Sequence, residues 1–244
     1  MIRVLIPVYN EEKNIETCIK DIDKSLMQFP HRFYLINDGS KDGSLAIINK
    51  IIGKFPIKLI NHKTNKGVAE ALKAGLSHID RDSQPNDILA IMEGDGTSTP
   101  TLLPRMIKKV SLESDIVIAS RYVPGGMYVS FPFHRLILSR CANLILRFLY
   151  PYLKVSDYTI FYRVYRMKIV KDVLQKYQEN LIKTRYFTAN SEFLIKCISL
   201  RPIISEIPYV YDYGKKRGHS GLKIIKNVWQ YLKLIYEHSI LRKS

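Results

Sequence analysis

Cysteine is scarce in this chain. There are three, Cys18, Cys141 and Cys197, far apart and with no Cys-x-x-Cys pair. An odd and scattered set does not make a disulfide framework. Each lies in a helix-like apolar segment, so the expectation is buried free thiols in a reducing compartment. Long apolar runs are missing as well, and none approaches the roughly 20 residues that cross a bilayer. Met1 leads straight into Ile2-Arg3-Val4-Leu5-Ile6, which reads as a strand and leaves no room for a secretory leader, so a cytoplasmic location is expected. No Gly-x-Gly-x-x-Gly follows that first strand, which removes the nicotinamide-dehydrogenase reading. There is no internal repeat and no low-complexity linker. Acid is in deficit: 22 Asp and Glu stand against 38 Lys and Arg, a net charge of +16. Such a surplus points to an anionic partner, whether nucleotide phosphates, nucleic acid or an acidic membrane surface. Nucleic acid is set aside, because the basic residues are spread through the chain and none of the known nucleic-acid motifs occurs. A hydrophobic fraction of 46% is too high for a disordered chain and sufficient for a full core.

The first half alternates between two periodicities. Apolar strands read at 3–7, 33–37, 57–61, 88–92 and 116–120, with helical patterns at 12–28, 44–54, 68–79 and 102–110 between them. That order predicts an α/β fold with a mostly parallel central sheet and helices on both faces. Ligands of such sheets bind beyond the carboxyl ends of the strands. Those ends read Pro7-Val8-Tyr9-Asn10-Glu11, Asn37-Asp38-Gly39-Ser40, Asn65-Lys66-Gly67, Glu93-Gly94-Asp95-Gly96-Thr97 and Ser120-Arg121-Tyr122. Five polar, glycine-rich strand ends predict one shared cleft. The second half has a long helical stretch at 135–150, a turn into a strand at 157–163, a helix at 189–200 and a strand at 202–208. A basic glycine-rich loop at 215–221 follows, then a helical tail at 222–241. The division expected is a domain over 1–221 and an amphipathic C-terminal helix over 222–244.

Glu93 and Asp95 stand at i and i+2 around a glycine just past a buried strand. Two carboxylates so placed can ligate a hard divalent cation such as Mg²⁺ or Mn²⁺, which keeps open positions for phosphate and water. An ordinary acidic turn is the alternative. Asp38 can accept from a base or ribose, or make an Asx turn, while Asp42 and Ser44 read as caps of the next helix. Gly67 opens a helix and either brings its N–H groups to a phosphate or serves turn geometry alone. Arg121 has the fork that suits phosphate oxygens, or makes a surface salt bridge. Arg135 and Ser139, at i and i+4, share a helix face and can hold a second phosphate, or stand as a snorkelling cation and a core hydroxyl.

Together these segments resemble the family-2 glycosyltransferases, which have the GT-A fold, and within them the dolichyl- and polyprenyl-phosphate hexosyltransferases. The likeness covers nearly the whole chain. It implies a nucleotide-sugar donor, UDP- or GDP-linked, and a polyprenyl-phosphate acceptor. It implies that Pro7, Tyr9, Glu11 and Asp38 bind nucleobase and ribose, and that Glu93 and Asp95 bind the metal and donor diphosphate. Gly67 falls in a third family motif. Arg121, Arg135 and Ser139 match positions that hold the acceptor phosphate. Asp157, Thr159 and Arg163 match an acidic, threonine- and arginine-bearing segment, and Lys215 and Arg217 a late basic loop over the phosphates. The chain departs from the pattern at Glu93, where aspartate is usual, and at Thr97, where glutamine is common. It departs again at Ile160-Phe161-Tyr162, which lacks the usual glycine, at Lys215 in place of arginine, and at Gly221 in place of lysine.

The reaction expected is an inverting displacement by a lipid phosphate oxygen. That oxygen is already nucleophilic, so no base is needed, while Asp95, Arg121 and Arg135 act at the reacting groups. A rival acceptor, a saccharide hydroxyl, needs a base, and Glu192 is its candidate; a first-turn helix acid is the plain alternative. A binding module without catalysis is a further rival. The tail carries Leu222, Ile225, Val228, Trp229, Leu232, Ile235, Tyr236 and Ile240 at helical spacing with several lysines. It either rests peripherally on an anionic membrane or packs on the domain. The partner expected is thus that surface or a membrane-anchoring protein.

Overall fold

A computed structural model describes residues 1–150, 155–216, 226 and 229–234. The five strands expected in the first half are present: β1 (Ile2–Val8), β2 (His31–Asp38), β3 (Ile57–His62), β4 (Ile88–Ile91) and β5 (Ile116–Ser120). Between them run α1 (Ile15–Ser25), α2 (Ser44–Ile51), α3 (Val68–Asp82) and α4 (Leu103–Leu112). The apolar spacing that predicts α1 is the spacing that buries it, through Ile15, Cys18, Ile19 and Ile22. It begins later than the pattern, because the carbonyl of Glu11 takes the N–H groups of Asn14 and Ile15 in a preceding turn. Helix α3 lies so close to β1 that a Cβ on Gly75 would stand 2.2 Å from Leu5 Cδ1.

Downstream come β6 (Met127–Val129), α5 (Phe133–Leu149), β7 (Arg163–Arg166), α6 (Met167–Tyr177), α7 (Thr188–Ile198), β8 (Ile204–Pro208) and β9 (Val210–Asp212). The main sheet has the order β3-β2-β1-β4-β7-β5-β8. Every pairing in it is parallel except those of β7, which runs antiparallel between β4 and β5. The segment expected to turn into a strand at 157–163 is a turn almost to its end, and pairing starts only at Arg163. A second, two-stranded sheet joins β6 to β9.

This order fixes where a ligand can bind. The chain steps outward from β1 through β2 to β3, then returns to lay β4 on the other side of β1. Neighbouring crossovers therefore part at the carboxyl ends of β1 and β4, and that divergence opens a crevice. Glu11 follows β1, and Glu93 and Asp95 follow β4.

Two expectations on the second half change. Cys141 is exposed, while Cys18 and Cys197 are buried. The cause is that α5 buries only Asn143 and Leu146, so its apolar stripe faces outward. The tail is helical at the residues described. Tyr231 meets Ser191 Oγ at 3.0 Å, Gln230 accepts from the Arg185 N–H, and Leu234 is buried, so that face packs on the domain. Trp229 and Leu232 stay outside. The expected boundary at 221, and the rest of 222–244, lie outside the described residues.

Candidate functional site

Three carboxylates converge at the crevice. Glu11 is pushed up to about 7, chiefly by burial and then by Asp95, despite the hydrogen bond from Asn14 Nδ2 at 2.7 Å. Glu93 is likewise pushed up to about 7 by burial and by Asp95. Its Oε2 accepts from Ser98 at 3.3 Å and Thr97 at 3.4 Å, which compensates only part of a half-buried charge. Asp95 takes both the N–H and the hydroxyl of Thr97 on Oδ1, at 3.1 and 2.6 Å. On Oδ2 it takes the ammonium of Lys216. Burial pulls the Lys216 pKa down, but Asp95, with Glu11 and Glu93, holds it above the ordinary lysine value. The site therefore attracts a cation, and in this structure a lysine supplies it. Asp95 and Glu93 suit a hard divalent ion, with Thr97 as a neutral neighbour. Among the described residues no group of three or more His, Cys, Asp or Glu can hold a metal. An ion here would need further oxygens from a diphosphate and water.

The loops after β1 and β2 are laced together. Asn10 N–H donates to Ser40, Lys41 N–H to Asn10 Oδ1, Glu12 N–H to Asp42, and Gly43 N–H to Glu12. Asp42 accepts from both N–H and hydroxyl of Ser44, the first residue of α2, while the N-cap position itself is Gly43. Tyr9 stands exposed at this edge, with Pro7 below it in β1. Asp38 is engaged on both oxygens: Oδ1 meets His62 Nδ1 at 2.8 Å and accepts the Lys66 N–H at 2.9 Å, and Oδ2 accepts the Gly67 N–H at 2.7 Å. Asp38 thus pins the third loop. Of the two readings of Gly67, turn geometry is the one in keeping with its own N–H, which is given to Asp38. Its φ of +91° is what requires glycine there.

The far wall is basic and rich in hydroxyls. Arg121 makes a two-pronged pair with Asp157, Nε to Oδ2 and Nη2 to Oδ1, each at 2.7 Å. It also donates to Thr159 Oγ1 at 2.7 Å. Neither the surface salt bridge nor the open phosphate fork is found; the pair is buried. Burial opposes both charges, yet Asp157 keeps Arg121 raised and Arg121 keeps Asp157 lowered. The guanidinium carbon lies 4.9 Å from the Tyr128 ring centre, 5.6 Å from Tyr211 and 5.7 Å from Tyr122. Above it Ser139 meets Tyr122, Tyr128 and Thr159 hydroxyls at 3.0, 2.9 and 3.3 Å. Arg135 donates to Tyr213 Oη at 2.9 Å and lies over that ring. Arg163 is wholly buried, donating to Tyr158 O and to both oxygens of Asn190, so it braces the turn from below. The two walls are joined by the turn at 213–216, where Tyr213 accepts from Arg135 and Lys216 pairs with Asp95.

Lys215, expected to reach phosphates, is exposed on the turn Tyr213–Lys215, and Arg217 lies outside the described residues. The lysine that enters the cleft is Lys216, which sequence reasoning missed. So was β9, although Tyr209, Tyr211 and Tyr213 alternate as a strand does, and Asp212 caps the following turn through the Gly214 N–H. Glu192 corrects the base expectation. Both its oxygens are filled, by the N–H groups of Lys183 and Thr184, the Thr184 hydroxyl and the Lys196 ammonium at 2.6 Å. It is a buried brace with no lone pair turned to the cleft.

The architecture is that of the GT-A glycosyltransferases. Glucosyl-3-phosphoglycerate synthase from Mycobacterium tuberculosis, solved with Mn²⁺, UDP and glucosyl-3-phosphoglycerate, superposes with a TM-score of 0.66 at 18% identity. The match covers 96% of this chain and 77% of that one. Dolichol-phosphate mannosyltransferase of Pyrococcus furiosus is 29% identical over 236 residues, 96% of this chain and 62% of that protein. The chain thus spans less than two thirds of this archaeal relative. Polyprenol monophosphomannose synthase of Mycolicibacterium smegmatis is 30% identical over 210 residues, 85% of this chain and 76% of that protein. Dodecaprenyl-phosphate galacturonate synthase of Rhizobium johnstonii is 27% identical over 176 residues, 70% of this chain and 49% of that protein. The family model for glycosyl transferase family 2 matches residues 3–174, and the chain belongs to that family.

Proposed function

We propose that the protein transfers a hexose, with inversion, from a UDP- or GDP-linked donor to the phosphate of a polyprenyl phosphate. The observation that carries this reading is an acidic group of Glu11, Glu93 and Asp95 joined through the turn at 213–216 to a basic, hydroxyl-rich group of Arg121, Arg135 and Ser139. The names of the three relatives each pair a sugar with a polyprenyl or dolichyl phosphate, and the sugars differ, which supports the reaction class rather than one hexose.

Asp95 and Glu93 would hold Mg²⁺ or Mn²⁺, which supplies Lewis-acid charge to a departing diphosphate. Pro7 and exposed Tyr9 flank the space for a base, with Glu11 and Asp38 at its rim. Arg121 has its fork on Asp157, so its part is to lend positive potential and to hold Thr159 and three tyrosines in place. Arg135 and Ser139, one turn apart on α5, are set to receive the attacking phosphate. A phosphate dianion attacks without a base, in keeping with the closed surroundings of Glu192.

The same helix supports an anionic membrane surface as partner. Phe133, Ile137, Leu144 and Phe148 form one outward stripe, with Phe133 and Phe148 at 74% and 84% exposure. Exposed Arg140 and Arg147 flank it. No Asp or Glu occurs from 116 to 156, so nothing there repels acidic headgroups. Arg135 and Ser139 stand on the opposite side of α5, which would put the bilayer and the phosphate site on two faces of one helix. Among the described residues no helix is long and apolar enough to cross a membrane.

The test is a transfer and donor-hydrolysis screen of UDP- and GDP-sugars with Mg²⁺ or Mn²⁺, with and without polyprenyl phosphate or oligosaccharides. Transfer that requires polyprenyl phosphate and is lost in Asp95→Ala is expected. Full metal-dependent turnover by Asp95→Ala, or transfer to oligosaccharides alone, overturns the reading.

A further inference from the structure

Strand β9 and the residues on either side of it touch both walls of the cleft. Tyr209 Oη donates to the carbonyl of Thr97. The carbonyl of Lys215 lies beside Gly96. Tyr213 accepts from Arg135, and Lys216 sets its ammonium on Asp95 Oδ2. The Lys216 side chain is only 14% exposed and that of Asp95 9%, so little water screens the contact. Glu11 and Glu93 face the same ammonium. Among the described residues no other carboxylate of the crevice has an ammonium paired to it.

Asp95 Oδ1 already accepts twice from Thr97, so a divalent cation arriving at Asp95 meets the ammonium on Oδ2. Both seek the same lone pairs, and at such spacing in a dry site their charges repel strongly. We propose that Lys216 is an internal cation that keeps the metal site closed in the unloaded protein, and that a divalent ion arriving at Asp95 expels it together with the turn at 213–216. The proposal rests on the metal reading given above. Expulsion has a second consequence: Tyr213 rides on the same turn, so its hydrogen bond to Arg135 is loosened as well. Filling the acidic wall would thereby remove one tether of the arginine on the basic wall.

Lys216 sits on a loop after the last described strand, so its substitution leaves the core intact. Mn²⁺ alone is titrated, without donor, into wild type, Lys216→Met, Lys216→Arg and Asp95→Asn, and free Mn²⁺ is read by electron paramagnetic resonance. Lys216→Met is expected to bind Mn²⁺ at least tenfold more tightly than wild type, and Lys216→Arg to bind as wild type does. Chymotryptic cleavage after Tyr213, followed by mass spectrometry, is expected to accelerate severalfold when Mn²⁺ is added to wild type, and to be fast without metal in Lys216→Met. Equal Mn²⁺ affinity in wild type and Lys216→Met, with both dependent on Asp95, overturns the internal-cation proposal and leaves the metal site standing. Unchanged Mn²⁺ affinity in Asp95→Asn overturns both. Slower cleavage on adding Mn²⁺ overturns the release of the turn.

Discussion

Asp157→Asn is the substitution whose cost the structure sets most directly. Arg121 and Asp157 have side chains only 6% and 0% exposed, so neither charge has water to fall back on. The carboxylate also accepts N–H groups from Arg121, Thr159 and Ile160. An amide in its place removes the charge and turns an NH₂ toward these donors. Breaking one side of a buried ion pair costs about 3–5 kcal/mol, because the remaining charge is stranded. In a domain of this size each kcal/mol moves Tm by about 2–4 °C, so a fall of roughly 6–20 °C is expected. The assay is thermal unfolding by circular dichroism at fixed protein concentration, checked by urea midpoints. Arg121→Met/Asp157→Leu, which removes both charges, should recover much of the loss, since a matched apolar pair is often neutral in such sites. A drop under about 0.5 kcal/mol for Asp157→Asn, the size of an ordinary surface change, would show that the pair does not carry its charge buried. A double variant no more stable than the single would refute the desolvation reasoning.

Glu192→Gln should destabilise by about 3 kcal/mol through the loss of its buried pair with Lys196, yet leave kcat of the folded protein near wild type. A stable Glu192→Gln protein with abolished turnover would restore the base role. Glu11 and Glu93, raised in the fold to about 7, bind protons that the unfolded chain has already released above its ordinary glutamate value of 4.5. Their contribution is therefore full below about 4.5 and is lost as pH rises toward about 7, so metal-free urea midpoints should fall across that window. A Glu11→Gln/Glu93→Gln double variant should show a flatter slope, and an identical slope would count against half-buried, protonatable acids. Phe133→Asp/Phe148→Asp should cut co-sedimentation with phosphatidylglycerol vesicles severalfold without changing Tm. Unaltered sedimentation would remove α5 as the membrane face.

The first half of the fold was legible because its period changes are strong and local. Strands whose apolar runs lie between polar ends, and helices such as α1 with apolar residues at Ile15, Cys18, Ile19 and Ile22, advertise themselves. The acids at the strand ends were legible for the same reason: a parallel sheet delivers its ligand residues just after each strand. The second half was less readable. β7 is only four residues long and depends on its two neighbours, so its antiparallel insertion has no local signature. Helix α5 has the composition of a buried helix, and only tertiary packing reveals that its apolar stripe faces out.

The sequence alone determined the five strands of the first half, the order of their polar ends and the placing of Glu93 and Asp95 beyond β4, because strand periodicity and carboxyl-end geometry are short-range consequences of the chain. Only the tertiary structure decided which partner each polar group takes. Arg121 is closed on Asp157, Gly67 and Asp38 are spent on each other, Glu192 is sealed by Lys196, and Lys216 rather than Lys215 meets Asp95. A charge leaving water takes the nearest compensating group in space, and that neighbour is 36, 29, 4 and 121 positions away in these four cases. Sequence distance therefore carries almost no information about it.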